Sequence, residues 1–221
     1  MKENPLVMCL TNAVAANFTA NVLLAVGAKP AMVEEPTEAA ELAIAADSVL
    51  LNVGTLTAAQ TAVMRTAIRA CQKGNIPWVL DPVACQLLAC RREIVYEFLS
   101  ERPTALRGNH DEIDFLLGSV PRLMGSVTSL ATGAEDIVRQ GNSVVARETG
   151  GVAMLQTVTA TGCAQGALCA AFLGRGQTPE DALLSASRLM KRAGERAFEA
   201  ARTPGRFQLA LVDAIWELSH D

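Results

Sequence analysis

Aromatic residues make up 4% of the 221 residues, there are two histidines, and no two of the six cysteines form a Cys-x-x-Cys pair. A zinc centre would draw on closely spaced Cys and His ligands, and this sequence offers no such set. No apolar run approaches the roughly 20 residues of a membrane-spanning helix. Residues 1–5 carry neither an apolar signal core nor a transit-peptide pattern, so a cytoplasmic chain with no membrane partner is expected. In that reducing setting Cys71 and Cys169 are expected to be small core residues. Basic residues are not in excess: 19 Lys plus Arg against 23 Asp plus Glu leave a net charge of −4. With no basic cluster to neutralise a phosphate backbone, nucleic acid is not an expected partner.

Half of the residues are hydrophobic, dominated by Ala, Leu and Val. That composition and length suit one α/β domain over 1–221, with helices packed on a buried, mostly parallel sheet. Short apolar runs predict strands over 6–10, 30–33, 48–53, 76–80 and 104–106. Longer helix-period segments predict helices over 14–26, 37–46, 58–73, 91–101 and 111–117, with Gly27 and Gly74 ending the first and third. Residues 138–145 read as a hairpin turning at Gly141-Asn142. Helices are expected again over 167–173, 179–202 and 207–219.

The stretch 158–167, Val-Thr-Ala-Thr-Gly-Cys-Ala-Gln-Gly-Ala, places small residues directly before an apolar helical run. Backbone N–H groups in such a turn can converge on an anion at a helix N-terminus. Cys163, at the mouth of this turn, is expected to have a lowered pKa and to serve as base or nucleophile. In open α/β sheets ligands bind beyond the carboxyl ends of the strands. Polar groups follow several strand runs here: Thr11-Asn12, Asn52-Val53-Gly54-Thr55, Asp81-Pro82, Arg107-Gly108-Asn109-His110-Asp111-Glu112 and Thr132-Gly133. Each has an ordinary structural role open to it: Asn12, Asn109 and Asp81 as helix caps, Arg107 as a surface charge. Together they suggest phosphoryl transfer. Asp81 and Glu112 would hold Mg²⁺ directly or through water, and Arg107 would clamp phosphate. The turn 160–163 would face the γ-phosphoryl group while Cys163 takes the proton of the attacking alcohol.

Seven segments occur in a fixed order: PLVMCLTN (5–12), NFTAN (17–21), GAKPAMV (27–33), LNVGTL (51–56), PWVLDPVA (77–84), RGNHDEI (107–113) and TATGCAQGA (159–167). With MKRAGERAF (190–198) and LVDAIWEL (211–218), they resemble the hydroxyethylthiazole kinases of the ribokinase-like superfamily over nearly the whole chain. The resemblance implies a ribokinase-like fold and ATP- and Mg²⁺-dependent phosphorylation of the side-chain hydroxyl of 5-(2-hydroxyethyl)-4-methylthiazole in thiamin salvage. It also implies a homotrimer with substrate sites between subunits. Met32, Asn12 and Ala160 match the thiazole side, and Arg107, Asn109, Thr132, Thr161 and Gly162 the ATP and phosphate side. Asp81 and Glu112 match acidic positions at the metal, and Cys163 the position of an Asp base in related kinases.

The sequence also departs from that pattern. Ala160 replaces the first glycine of Gly-Thr-Gly-Cys, Met8 replaces a histidine, and the glycine-rich segment after Asp81-Pro82 reads Ala84-Cys85-Gln86-Leu87-Leu88. A methyl group at Ala160 is expected to crowd the thiazole or oppose a positive φ. The helix that precedes the first strand in the family is not in this sequence. Between Leu117 and Thr132 a helix and a strand are compressed into 119–131. A rearranged sheet edge, stronger dependence on the trimer or low stability are the expected consequences, unless 126–130 supplies a strand into Thr132-Gly133. Two alternatives therefore stand beside the thiazole kinase. One is a kinase for another heterocyclic alcohol, of hydroxymethylpyrimidine or pyridoxal type; the other is a non-catalytic homologue that binds ligand.

Overall fold

Alternation of apolar side chains along the strands sends one set to each face of the sheet, so each face needs its own helical cover. In the computed structural model, which describes residues 2–220, that demand gives three layers. The strands are β1 (Leu6–Leu10), β2 (Lys29–Met32), β3 (Ser48–Asn52), β4 (Trp78–Asp81), β5 (Ala105–Asn109), β6 (Thr128–Thr132), β7 (Asp136–Gln140) and β8 (Ser143–Glu148). They form one sheet in the order β2-β1-β3-β4-β5-β6-β7-β8. The first six are parallel, and the β7–β8 hairpin closes the sheet antiparallel.

Helices α1 (Ala13–Ala25), α2 (Pro36–Ala45), α3 (Ala58–Gly74), α4 (Ala89–Ser100), α5 (His110–Ser119) and the single turn α6 (Pro121–Met124) alternate with the strands. Then come α7 (Thr161–Gly174), α8 (Pro179–Ala200) and α9 (Pro204–His220). Val7, Cys9, Leu50, Val79, Ala105 and Leu130 pack with α1, α7, α8 and α9 on one face. Met8, Leu10, Val49, Leu51, Leu80 and Leu106 pack with α2 to α6 on the other. Every residue of β3 and β4 is buried, which explains their unbroken apolar runs. Cys71 and Cys169 are buried core residues, as expected.

Several boundaries differ from the sequence reading for local reasons. The third helix continues through Gly74, and Asn75 takes the left-handed conformation at φ 52°. Strand β5 runs on through Arg107 and Gly108 to Asn109, so these residues lie in the sheet and not after it. Helix α7 begins at Thr161 and not at 167, making Thr161, Gly162 and Cys163 its first turn. The compressed region leaves no gap: α6 leads into β6, which pairs with β5 from Ala105↔Thr128 to Asn109↔Thr132. The expected rearranged sheet edge is absent from the described residues, because the strand reaching Thr132 forms as required.

Candidate active site

The carboxyl ends of β1, β3, β4, β5 and β6 and the N-terminus of α7 converge. Asn12 follows β1 and caps α1, its side chain accepting from Ala15 N at 3.0 Å. It also donates through Nδ2 to Asn52 Oδ1 at 3.0 Å and to Cys163 Sγ at 3.7 Å. Asn52, the last residue of β3, donates to Asp81 Oδ2 at 2.6 Å, and Asp81 ends β4. This sequence of contacts explains the glycine at 54: a Cβ there would lie 2.7 Å from Asn12 Nδ2 and 2.8 Å from Asn52 Oδ1.

Asp81 is fully buried. Its Oδ1 lies 4.0 Å from Arg107 Nη1 and has no hydrogen-bond partner among the described residues. Burial pushes its pKa up to about 7, against the lowering pull of the Arg107 charge; the Glu112 carboxylate adds to the rise and the Asn52 hydrogen bond opposes it. Arg107 is no surface charge, being 9% exposed. Its Nη2 donates to Thr132 Oγ1 at 2.8 Å and to Gln165 Oε1 at 3.3 Å, while Nε is buried with no hydrogen-bond partner among the described residues.

Gly162 lets this guanidinium approach the start of α7, where a Cβ would stand 2.8 Å from Arg107 Nη1. The N-cap residue Ala160 sits at φ 71° with no side-chain capping bond. A cation facing the positive end of an uncapped helix is unfavourable alone and becomes favourable with an anion between them. The buried Nε of Arg107, a donor with no partner among the described residues, points the same way, since buried donors are normally paired. Ala160 does adopt the positive φ that its methyl group was expected to oppose.

Asn109 and Glu112 form a reciprocal cap on α5. Glu112 N donates to Asn109 Oδ1 at 2.9 Å, and Asn109 N donates to Glu112 Oε2 at 2.8 Å. Glu112 Oε1 accepts from Ala84 N at 2.7 Å, which fixes the glycine-free loop after Asp81. Ala84 there takes φ 58°, so this loop tolerates its bulk by placing one alanine in the left-handed region.

The thiol expectation is corrected. Cys163 is not activated in the free protein: burial raises its pKa to about 11, the Asp81 charge adds to the rise, and hydrogen bonds from Asn52 and Asn12 with the Arg107 charge oppose it. The helix N-terminus does not outweigh desolvation here.

A cleft of about 560 Å³ opens beside this centre, lined by Arg107, Asn109, Thr132, Thr161 and Gly162 among others. All five residues assigned to the ATP side from sequence therefore share one cavity, of the size usual for a small-molecule site. Met32 stands apart from the hydrogen-bonded cluster, at the end of edge strand β2 and 38% exposed. Sequence reasoning assigned no role to Asn52, Asp136, Gln165 or Lys191. Asn52, Gln165 and Lys191 lay inside the family-like segments, Lys191 in MKRAGERAF (190–198); Asp136 had no signal of its own.

The model of the Hydroxyethylthiazole kinase family matches residues 1–129 and 120–221. A hydroxyethylthiazole kinase of Cronobacter sakazakii is 44% identical over 235 residues, covering 96% of this chain and 88% of the relative. One from Corynebacterium glutamicum is 39% identical over 242 residues, covering 98% and 90%. The solved hydroxyethylthiazole kinase protein of Pyrococcus horikoshii OT3 superposes with a TM-score of 0.90 at 35% identity, covering 97% of this chain and 88% of that one. A ribokinase-like superfamily protein of Enterococcus faecalis V583 shares the fold alone, with a TM-score of 0.67 at 14% identity over 96% of this chain and 86% of that one. With both halves of the sequence matched by the family model, and with relatives 39–44% identical covered nearly end to end, the chain belongs to the hydroxyethylthiazole kinase family.

Proposed function

We propose that this chain transfers the γ-phosphoryl group of ATP to the side-chain hydroxyl of 5-(2-hydroxyethyl)-4-methylthiazole, a thiamin-salvage reaction of the cytoplasm. The observation that carries this reading is the convergence of Arg107 with the uncapped start of α7 over the buried carboxylate of Asp81. Phosphoryl transfer asks a protein for positioning and charge stabilisation. Arg107 and the N–H groups of Thr161, Gly162 and Cys163 would hold the transferring group, and Thr132 would fix the guanidinium. Asn109 orients Glu112 through their reciprocal cap.

The donor set suits a magnesium ion. Asp81 Oδ1 accepts no hydrogen bond among the described residues, and both Glu112 oxygens already accept backbone N–H groups. No group of three or more candidate ligands occurs among the described residues. Asp81 would hold such an ion directly and Glu112 through water, with phosphate oxygens completing a shell that Mg²⁺ prefers to keep hydrated. When bound, the ion neutralises charge between the phosphates.

Cys163, positioned by Asn12, would accept the proton of the attacking alcohol. Asn12 and Ala160 would face the thiazole, and Met32, exposed at the sheet edge, would reach a thiazole site completed between copies of a homotrimer. The test is formation of thiazole phosphate by the purified chain with ATP and Mg²⁺, followed by ³¹P NMR beside Glu112→Gln. Product that falls at least tenfold in the variant is expected. No product from a folded chain that still binds the thiazole would overturn the reading in favour of another alcohol or a non-catalytic binder.

A further inference from the structure

One wall of the cleft is built on a single face of α8, outside the phosphate-binding centre. Ser187, Lys191 and Glu195 are spaced i, i+4 and i+8 and so project from one side of the helix. Lys191 Nζ donates to the carbonyl oxygens of Gly133, Ala134 and Gly150, each at 3.1 Å, and stands 3.2 Å from Asp136 Oδ1. Asp136 is held in turn, its Oδ1 accepting from Gly133 N at 2.9 Å and its Oδ2 from Ser187 Oγ at 2.7 Å. Gln165 Nε2 reaches the same Oδ2 at 3.4 Å and, through Oε1, accepts from Arg107. One turn further along α8, Glu195 Oε1 accepts from Gly151 N at 2.6 Å. Gly133, Ala134, Asp136, Gly150 and Gly151 all line the cleft.

An ammonium carries three protons, and Lys191 meets three carbonyls and a carboxylate while its side chain is 6% exposed. None of its protons is left for a phosphate oxygen. Burying an ion pair carries a desolvation cost that a well-packed apolar pair avoids, so such a pair is weak evidence for stability and better read as fixing a geometry. The geometry fixed is the spacing between the turn after β6 and the loop after β8, two segments with no sheet pairing to each other at these residues.

We propose that Lys191 is a positioning residue for nucleotide binding: it ties the 133–134 turn and the 150–151 loop to α8 and so sets the width of the cleft that receives the nucleotide. This rests on the kinase reading above and adds a residue to the same site. The test compares the unsubstituted chain with Lys191→Met by calorimetric titration of ADP and by steady-state kinetics, with melting curves to confirm folding. A rise of at least tenfold in the ADP Kd and the KM for ATP is expected, with the KM for the thiazole and kcat within twofold. A folded variant with unchanged ADP affinity, or with equal rises in both KM values, overturns the proposal while leaving the kinase reading intact. Failure of the unsubstituted chain to bind ADP overturns both. Should Lys191→Met not fold, Glu195→Ala reports on the same wall without disturbing the buried pair. It is expected to raise the KM for ATP about threefold, with Glu195→Gln restoring it, and no change in Glu195→Ala would overturn the proposal.

Discussion

At Cys163 two effects of opposite sign meet. A helix N-terminus favours a thiolate, and burial beside Asp81 disfavours it; burial prevails, leaving a pKa of about 11. A base must be deprotonated to take a proton, so the competent fraction of Cys163 grows about tenfold per pH unit well below that pKa. Turnover is therefore expected to climb steadily from pH 7 to 9.5, whereas Cys163→Asp, whose carboxyl ionises at lower pH than a thiol, should keep or raise the rate at pH 7 and flatten the profile. A flat profile for the native residue, or a folded but inactive aspartate variant, would remove Cys163 from the role of base. The position of this residue was legible in sequence and its ionisation was not, because a motif shows which groups are near and not how much water is left around them. Asn12 and Asn109 were read as site residues or caps; the structure makes each a cap whose remaining contacts reach the site.

At the scale of elements, two helices start with the same device and differ in what it supports. Thr57 and Gln60 cap α3 reciprocally at 3.0 and 3.2 Å, outside the set of residues assigned to the site, as Asn109 and Glu112 cap α5 within it. Thr57→Ala and Asn109→Ala are each expected to cost about 1 kcal/mol in denaturant unfolding. Activity should fall at least tenfold in Asn109→Ala alone, since Glu112 loses the partner that orients it; equal activities would reduce the second cap to scaffolding. Most elements were legible because strand and helix periods differ. The start of α7 was missed because Thr161 to Gly166 are small or polar residues with no periodic apolar signal. Strand β6 was only a possibility in sequence, as five residues are too few for a pattern; its pairing with β5 is a tertiary fact.

Across the whole molecule, the cleft is assembled from segments far apart in the chain. Arg107 meets Gln165 across 58 residues, and Lys191 meets Gly133 across the same separation. No single-sequence pattern announces such meetings, which is why Asp136 escaped notice and Lys191, though inside the segment 190–198, was given no role, while Arg107, next to a strand run, was. A ligand that bridges these segments should stabilise the fold as a unit. ATP at a hundredfold excess over its Kd is expected to add about 2.7 kcal/mol, or roughly 5–10 °C in melting temperature for a chain of this size. Calorimetric scanning would check it, and an unshifted melt at saturating ATP would contradict the bridging arrangement.

The residues assigned to the acceptor side before the turn at α7, Asn12 and Met32, precede residue 60, and Asn52 and Gly54 support Asn12 there. Those assigned to the nucleotide side follow residue 104. Asp81 and the first turn of α7 form the seam. On these assignments the choice of acceptor and the grip on donor fall largely in separate genetic segments, so exchanging the first sixty residues for those of a relative is expected to redirect the alcohol accepted while the donor machinery is inherited unchanged.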